Sequence, residues 1–198
     1  MDLRIQKTKN SIFSAFIELR AAKPLEKITI RELTQKANIS KQTFYLHFKD
    51  IYDLSEYLEN DAITSLVADI PNPDLIITDP AAAARLLCTA FITQGHLFNI
   101  LFPDDDRSCG VLTNKLEARI KELIFITHPE FKDNLEKNIT ISLLIQGSVH
   151  TFLKYKEEDT EQVIEILADT IGRIADHSYY IDDKELPPVY TPIIPHLR

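Results

Sequence analysis

At 198 residues the chain is long enough for one substantial core, or for a small domain joined to a larger one. Hydrophobic residues make up 44% and charged residues 26%, with four Gly and no Trp, a mix that favours helices over a turn-rich β fold. The net charge of −8 argues against nucleic acid only if it is spread evenly, and it is not: residues 1–50 hold ten of the 22 Lys+Arg but five of the 30 Asp+Glu, leaving twelve basic and 25 acidic residues behind them.

In chain order, Ile5, Ile12, Phe13, Phe16, Ile17 and Leu19 recur at helical spacing and predict a helix to about Ala22, stopped by Pro24. Three helix starts follow in quick succession. Thr29 with Glu32 three residues on is a capping box, opening a helix whose apolar stripe is Ile30, Leu33 and Ala37. Asn38 can end it, because Asn tolerates the left-handed conformation. Ser40 caps a second short helix with Phe44 and Phe48 on one face. Asp50 caps a third, carried by Ile51, Leu54, Leu58 and Ala62 to about Ile70, where Pro71 and Pro73 break it. Two short helices joined by a tight turn, with a longer helix on each side, form a helix-turn-helix.

Beyond Pro71 the chain reads as a connector to Pro80, then one helix over Ala81–Phe102 and an acidic loop from Pro103 to Gly110. A helix marked by Leu112, Leu116, Ile120, Leu123 and Ile124 ends at His128 and Pro129, and two more span Phe131–Tyr155 and Thr160 to about His177. The ending LPPVYTPIIPHLR is expected to be an extended tail. No strand pair stands out, so the fold class is all-α. The expected domains are 1–49, a DNA-binding helix-turn-helix; 50–182, a larger helical body; and 183–198, the Pro-rich tail.

Residues Leu25 to Leu54 resemble the DNA-binding domain of the TetR family of bacterial regulators. The matching positions are Leu25, Thr29, Ile30, Leu33, Ala37, Ile39, Ser40, Thr43, Phe44, Tyr45, His47, Phe48 and Leu54, with Ser40–Phe48 the most specific stretch. A helix lying in the DNA major groove buries one face on its own domain and offers polar side chains on the other. Phe44 and Phe48 supply the first. Lys41 and Gln42, at the helix start, suit guanine acceptors and adenine edges respectively. Thr43, Tyr45 and His47 suit phosphate oxygens, as the resemblance also implies; Thr29, Ser40 and Lys49 complete the candidate set. Three positions depart from the family: Asn38 and Gln42 stand where Gly is usual or common, and Ile51 where a Lys is often found.

The resemblance further implies a homodimer acting on a palindromic operator, with the last two long helices at the subunit interface, and repression as the default. It also implies a cavity for a small-molecule effector. Ile139–Leu153 is apolar nearly all round, Val163, Ile164, Leu167, Ile171 and Ile174 mark the last helix, and Gly147 and Gly172 allow close helix approach. The candidate lining residues are Leu87, Phe91, Phe98, Phe102, Ile120, Gln146 and His150, aromatic walls with a few polar groups.

Cys88 and Cys109 are isolated and read as reduced thiols, His96 and His150 have no companion ligands, and neither metal nor cofactor is expected. The amino terminus lacks the apolar segment of a secretory signal and no run reaches the ~18 residues of a membrane span, so a cytoplasmic protein is expected. An enzyme is the first rival reading, but GxSxG, P-loop and HExxH motifs are missing, and Asp104–Asp106 reads as a solvated loop. The second rival is a TetR-like regulator or scaffold controlled by a protein partner, with weak or no specific DNA binding; it draws on the three departures and the tail.

Overall fold

The computed structural model describes residues 3–179, and the tail expected at 183–198 lies outside them. The fold is all-α: the described residues form ten α-helices and no strand. They are α1 (Leu3–Ala22), α2 (Ile30–Lys36), α3 (Lys41–Tyr45), α4 (Ile51–Ala68), α5 (Leu75–Thr78), α6 (Pro80–Thr93), α7 (Gly95–Leu101), α8 (Asp106–Thr127), α9 (Leu135–Tyr155) and α10 (Thr160–Tyr179), with single 3₁₀ turns at Leu25–Lys27 and Pro129–Phe131.

Helices α2, α3 and α4 start where their caps predict. Thr29 accepts from the Glu32 N–H while the Glu32 carboxylate accepts from the Thr29 N–H. Ser40 Oγ accepts from the Thr43 N–H at 3.0 Å, and Asp50 accepts from Tyr52 and Asp53 at 2.8 and 2.9 Å. Beyond α4 the outline changes in four places. The connector contains α5. The helix expected over Ala81–Phe102 is two helices, broken at Gln94, whose φ of −96° and ψ of 9° leave the helical region. Gly95 follows directly and is a poor helix residue, and the bend leaves Phe98, Leu101 and Phe102 buried in the core. The acidic run is not a loop throughout: Asp105 caps α8 by accepting from the Ser108 N–H and hydroxyl, and Asp106 lies in the first turn, where the helix dipole favours a carboxylate. Finally, α9 starts at Leu135 and not Phe131, because the Pro129–Phe131 turn precedes it and Asn134 is its cap.

One connected apolar core runs from Ile12 in α1 to Ile141 in α9. Helix α4 carries it from end to end, with Ile51, Leu54 and Leu58 buried in its first half and Ala62, Ile63, Leu66 and Val67 in its second. Helix α7 touches both α1 and α4, α8 lies along α4 and α9, and α10 packs on α6 and α9. Gly172 serves the α6–α10 contact, not the α9–α10 one: a Cβ there would stand 3.4 Å from that of Ala81. Arg85 of α6 grips Glu165 of α10 with a forked pair of hydrogen bonds at 2.9 Å.

The α8–α9 seam is polar on its outer side. The Glu117 carboxylate accepts from Ser142 and Gln146 at 2.6 Å and from Lys121 at 2.8 Å. Partial burial pushes its pKa up, but the hydrogen bonds from Lys121, Ser142 and Gln146 outweigh this and hold it at about 2. Because Glu117 titrates lower in the fold than in the unfolded chain, its contribution is complete above about pH 4.5 and is lost as pH falls toward 2. Glu117→Ala is expected to cost about 1–2 kcal/mol at pH 7, since three side chains lose a charged acceptor. Urea unfolding at pH 7 and pH 3 checks this: the gap between wild type and variant should narrow at the lower pH.

Candidate nucleic-acid interface

The turn between α2 and α3 is closed by backbone geometry. Asn38 has φ of 54°, the left-handed conformation expected of it. Around it the Ile39 N–H donates to Thr34 O at 3.0 Å and the Asn38 N–H to Gln35 O at 3.3 Å, the paired bonds of a Schellman motif. Asn here does the work of the Gly usual in the resembling family.

Five residues are too few for an isolated helix to persist, so α3 depends on its packing. Phe44 is fully buried, and Phe48, just past the helix, is nearly so. Their rings lie 5.9 Å apart, and Phe48 packs in turn against Phe13 of α1 at 6.2 Å and Tyr57 of α4 at 5.6 Å. Phe13 stacks on Tyr57 at 5.5 Å, and Lys9 Nζ lies over the Tyr57 ring at 5.1 Å. This aromatic joint fixes the rotation of α3 about its axis, and thereby which side chains face outward.

Those side chains are Lys41, Gln42, Tyr45 and Leu46, all exposed. Lys41 and Gln42 occupy the first turn. The Tyr45 ring stands edge-on to Phe44 and the residue is exposed. Thr43 is half-buried and its hydroxyl shares a 2.9 Å hydrogen bond with that of Ser40, so these two work first as the cap. His47 is half-buried beside Phe48, and Lys49 is exposed, its backbone N–H donating to Asp53.

Thr29 stands apart. Its hydroxyl donates to Glu32 at 2.8 Å, and Glu32 is held at about pKa 2, chiefly by the hydrogen bond from Lys23 and then by Thr29. The start of α2 therefore carries a fixed carboxylate beside the hydroxyl, which disfavours a phosphate there. Ile51, where the family often has Lys, is buried in the core at the first position of α4.

The effector candidates divide among four places. Leu87, Phe91 and Ile120 line an apolar cavity between the body helices. Phe102 and His150 line a neighbouring cleft that also carries Asp104, Asp105, Asp106, Cys109 and Lys154; there Cys109 Sγ lies 3.9 Å from His150 Nδ1. Phe98 is wholly buried between Phe91 and Phe102, and Gln146 belongs to the outer polar seam with Glu117 and Asn114. Most of the cavity lining escaped the sequence reading, including its two polar side chains, Cys88 and Ser148. The spacing Ala84, Leu87, Cys88, Phe91 on one face of α6 was the available signal for the first.

A short capped helix, seated by aromatic side chains and showing a polar outer face, defines a helix-turn-helix DNA-binding domain. Residues 12–58 match the family model described as bacterial regulatory proteins, tetR family. The match covers about a quarter of the chain and supports a TetR-type DNA-binding transcriptional regulator. A search of curated proteins finds no match. Among the described residues no helix is long and apolar enough to cross a membrane, and no cluster of three or more His, Cys, Asp or Glu could hold a metal ion.

The strained turn gives a direct check. Asn38→Val should lose about 1–2 kcal/mol, the cost of a side chain forced into the left-handed region, whereas Asn38→Gly should match or exceed wild type. Chemical unfolding of the three proteins measures both.

Proposed function

We propose that the protein is a homodimeric repressor that reads a palindromic operator with α3 and is released when a small molecule occupies the body. The reading rests above all on the outer face of α3, where Lys41 and Gln42 stand exposed at the end that meets base edges. Tyr45, His47, Lys49 and the Ser40–Thr43 pair flank them and are assigned to phosphates, positioning the helix without reading sequence. Thr29, tied to Glu32, is the weakest member of that set.

Support for the dimer comes from α9. Leu135, Ile139 and Leu143 are exposed at four-residue spacing, 74%, 58% and 63% accessible, and Gly147 continues the stripe with open space where its Cβ would stand. Ile166 and Ile174 are exposed on α10, which packs against α9. A second copy covering this face would bury an apolar stripe that is costly to leave in water. It would also set two recognition helices about one DNA turn apart. The Gln42 and Ile51 positions keep the partner-controlled reading open as the outcome of a negative DNA experiment.

Selection of random duplex DNA by the purified protein is the test. Enrichment of a palindrome is expected, altered or lost when Lys41 and Gln42 are both replaced by Ala; no enrichment at low salt would sink the operator reading and favour a protein partner. On the selected duplex, Tyr45→Phe should weaken binding about equally across sequences. Lys49→Ala should flatten the plot of log affinity against log salt by roughly one unit per chain. Unchanged affinity and slope would remove both residues from the phosphate set.

A further inference from the structure

We propose that the ligand of the body is an uncharged, hydrocarbon-rich molecule held in the cavity between α4, α5, α6, α8, α9 and α10; the inference rests on the small-molecule control proposed above. The cavity volume is about 110 Å³. Leu66 of α4, Ile76 of α5, Phe91 of α6, Leu116 of α8, Phe152 of α9 and Ile171 of α10 represent its six walls. Only two lining side chains carry a polar atom, Cys88 and Ser148, and none is charged.

Neither of those two can balance a charge. Burial pushes the Cys88 thiol up to about 11, so it stays protonated, and Ser148 offers one hydroxyl. An ionised ligand group entering here would leave its water shell and find no counter-ion. The charged side chains of the surrounding helices lie outside the lining: Arg85 pairs with Glu165 across α6 and α10, Glu117 and Lys121 are engaged in the outer α8–α9 seam, and Asp104–Asp106, Lys154 and Lys156 line the adjoining cleft. A void with apolar walls excludes water and forfeits packing that an apolar guest would restore. Cys88 and Ser148 are therefore the only lining side chains able to hydrogen-bond a guest.

The test uses calorimetry on the full-length protein to compare two probes with the same ring: benzene, which is neutral, and benzenesulfonate, which carries a sulfonate. The neutral probe is expected to saturate at one per chain and to bind at least about 30-fold more tightly than the anion. Ala84→Phe and Ser148→Phe, which fill the space from α6 and from α9, should each abolish neutral-probe binding while circular dichroism and the melting midpoint are kept. Two variants are used so that one misfolded protein does not decide the matter. Equal affinity for the sulfonate, or neutral binding that survives both folded variants, overturns the proposal.

Operator binding by the same preparations separates the two readings. Specific DNA binding with no saturable neutral-probe binding sinks the cavity proposal and leaves the regulator intact. Saturable binding lost in the filled variants, with wild-type operator affinity unmoved by saturating neutral probe, upholds the cavity's chemistry and counts against ligand control of DNA release.

Discussion

The proposed reading surface depends on the burial of two phenylalanines. Helix α3 is five residues long and has no stability of its own; it exists because Phe44 is buried and Phe48 is wedged between α1 and α4. That burial decides the outward face as well, since Lys41, Gln42 and Tyr45 are what remains when the aromatic side is turned inward. Caps and turn then act together. The Ser40 cap starts the helix, the left-handed Asn38 delivers the chain to that start, and α4 carries the same core onward without interruption.

The body sorts its chemistry by depth. Charged groups sit on outer seams, where Glu117 joins α8 to α9 and Arg85 joins α6 to α10, while the interior between the same helices is lined almost wholly by hydrocarbon. Polar seams fix which helices are neighbours, because a carboxylate with three donors is satisfied in one register only. The apolar interior has no such restriction and can hold a cavity without leaving a polar group unpaired. The uneven charge of the sequence belongs to the same division of labour: basic residues gather in the part that meets DNA, acidic ones in the part that does not.

Much of the amino-terminal domain was legible because its signals are local. A cap and its N–H lie within three residues, so Thr29, Ser40 and Asp50 could each be placed from sequence. Thr29 could be read both as a cap and as a phosphate contact, but the sequence did not show that Lys23 would fix a carboxylate beside it. In the body the same reading was coarser. Periodicity shows that a face is buried, not against what: Phe98 and Leu87 share an apolar pattern, yet one is packed solid between aromatic rings and the other faces a cavity. Gln146 looked like a polar group on an apolar helix and proved to be the partner of Glu117, a carboxylate 29 residues away that no local pattern points to. The break at Gln94 carried a weak signal in Gly95, overridden by the apolar run on both sides.

That break has a mechanical meaning. An uninterrupted helix from Pro80 to Leu101 would be a single strut, stiff along its whole length. Split at Gln94, it becomes two arms with a joint between them. One arm carries Leu87 and Phe91 into the cavity wall, and the other rests on α1 and α4, the two helices that seat α3. Phe91 lies three residues from the joint, so the interior of the body and the footing of the reader are separated by less than one turn of backbone.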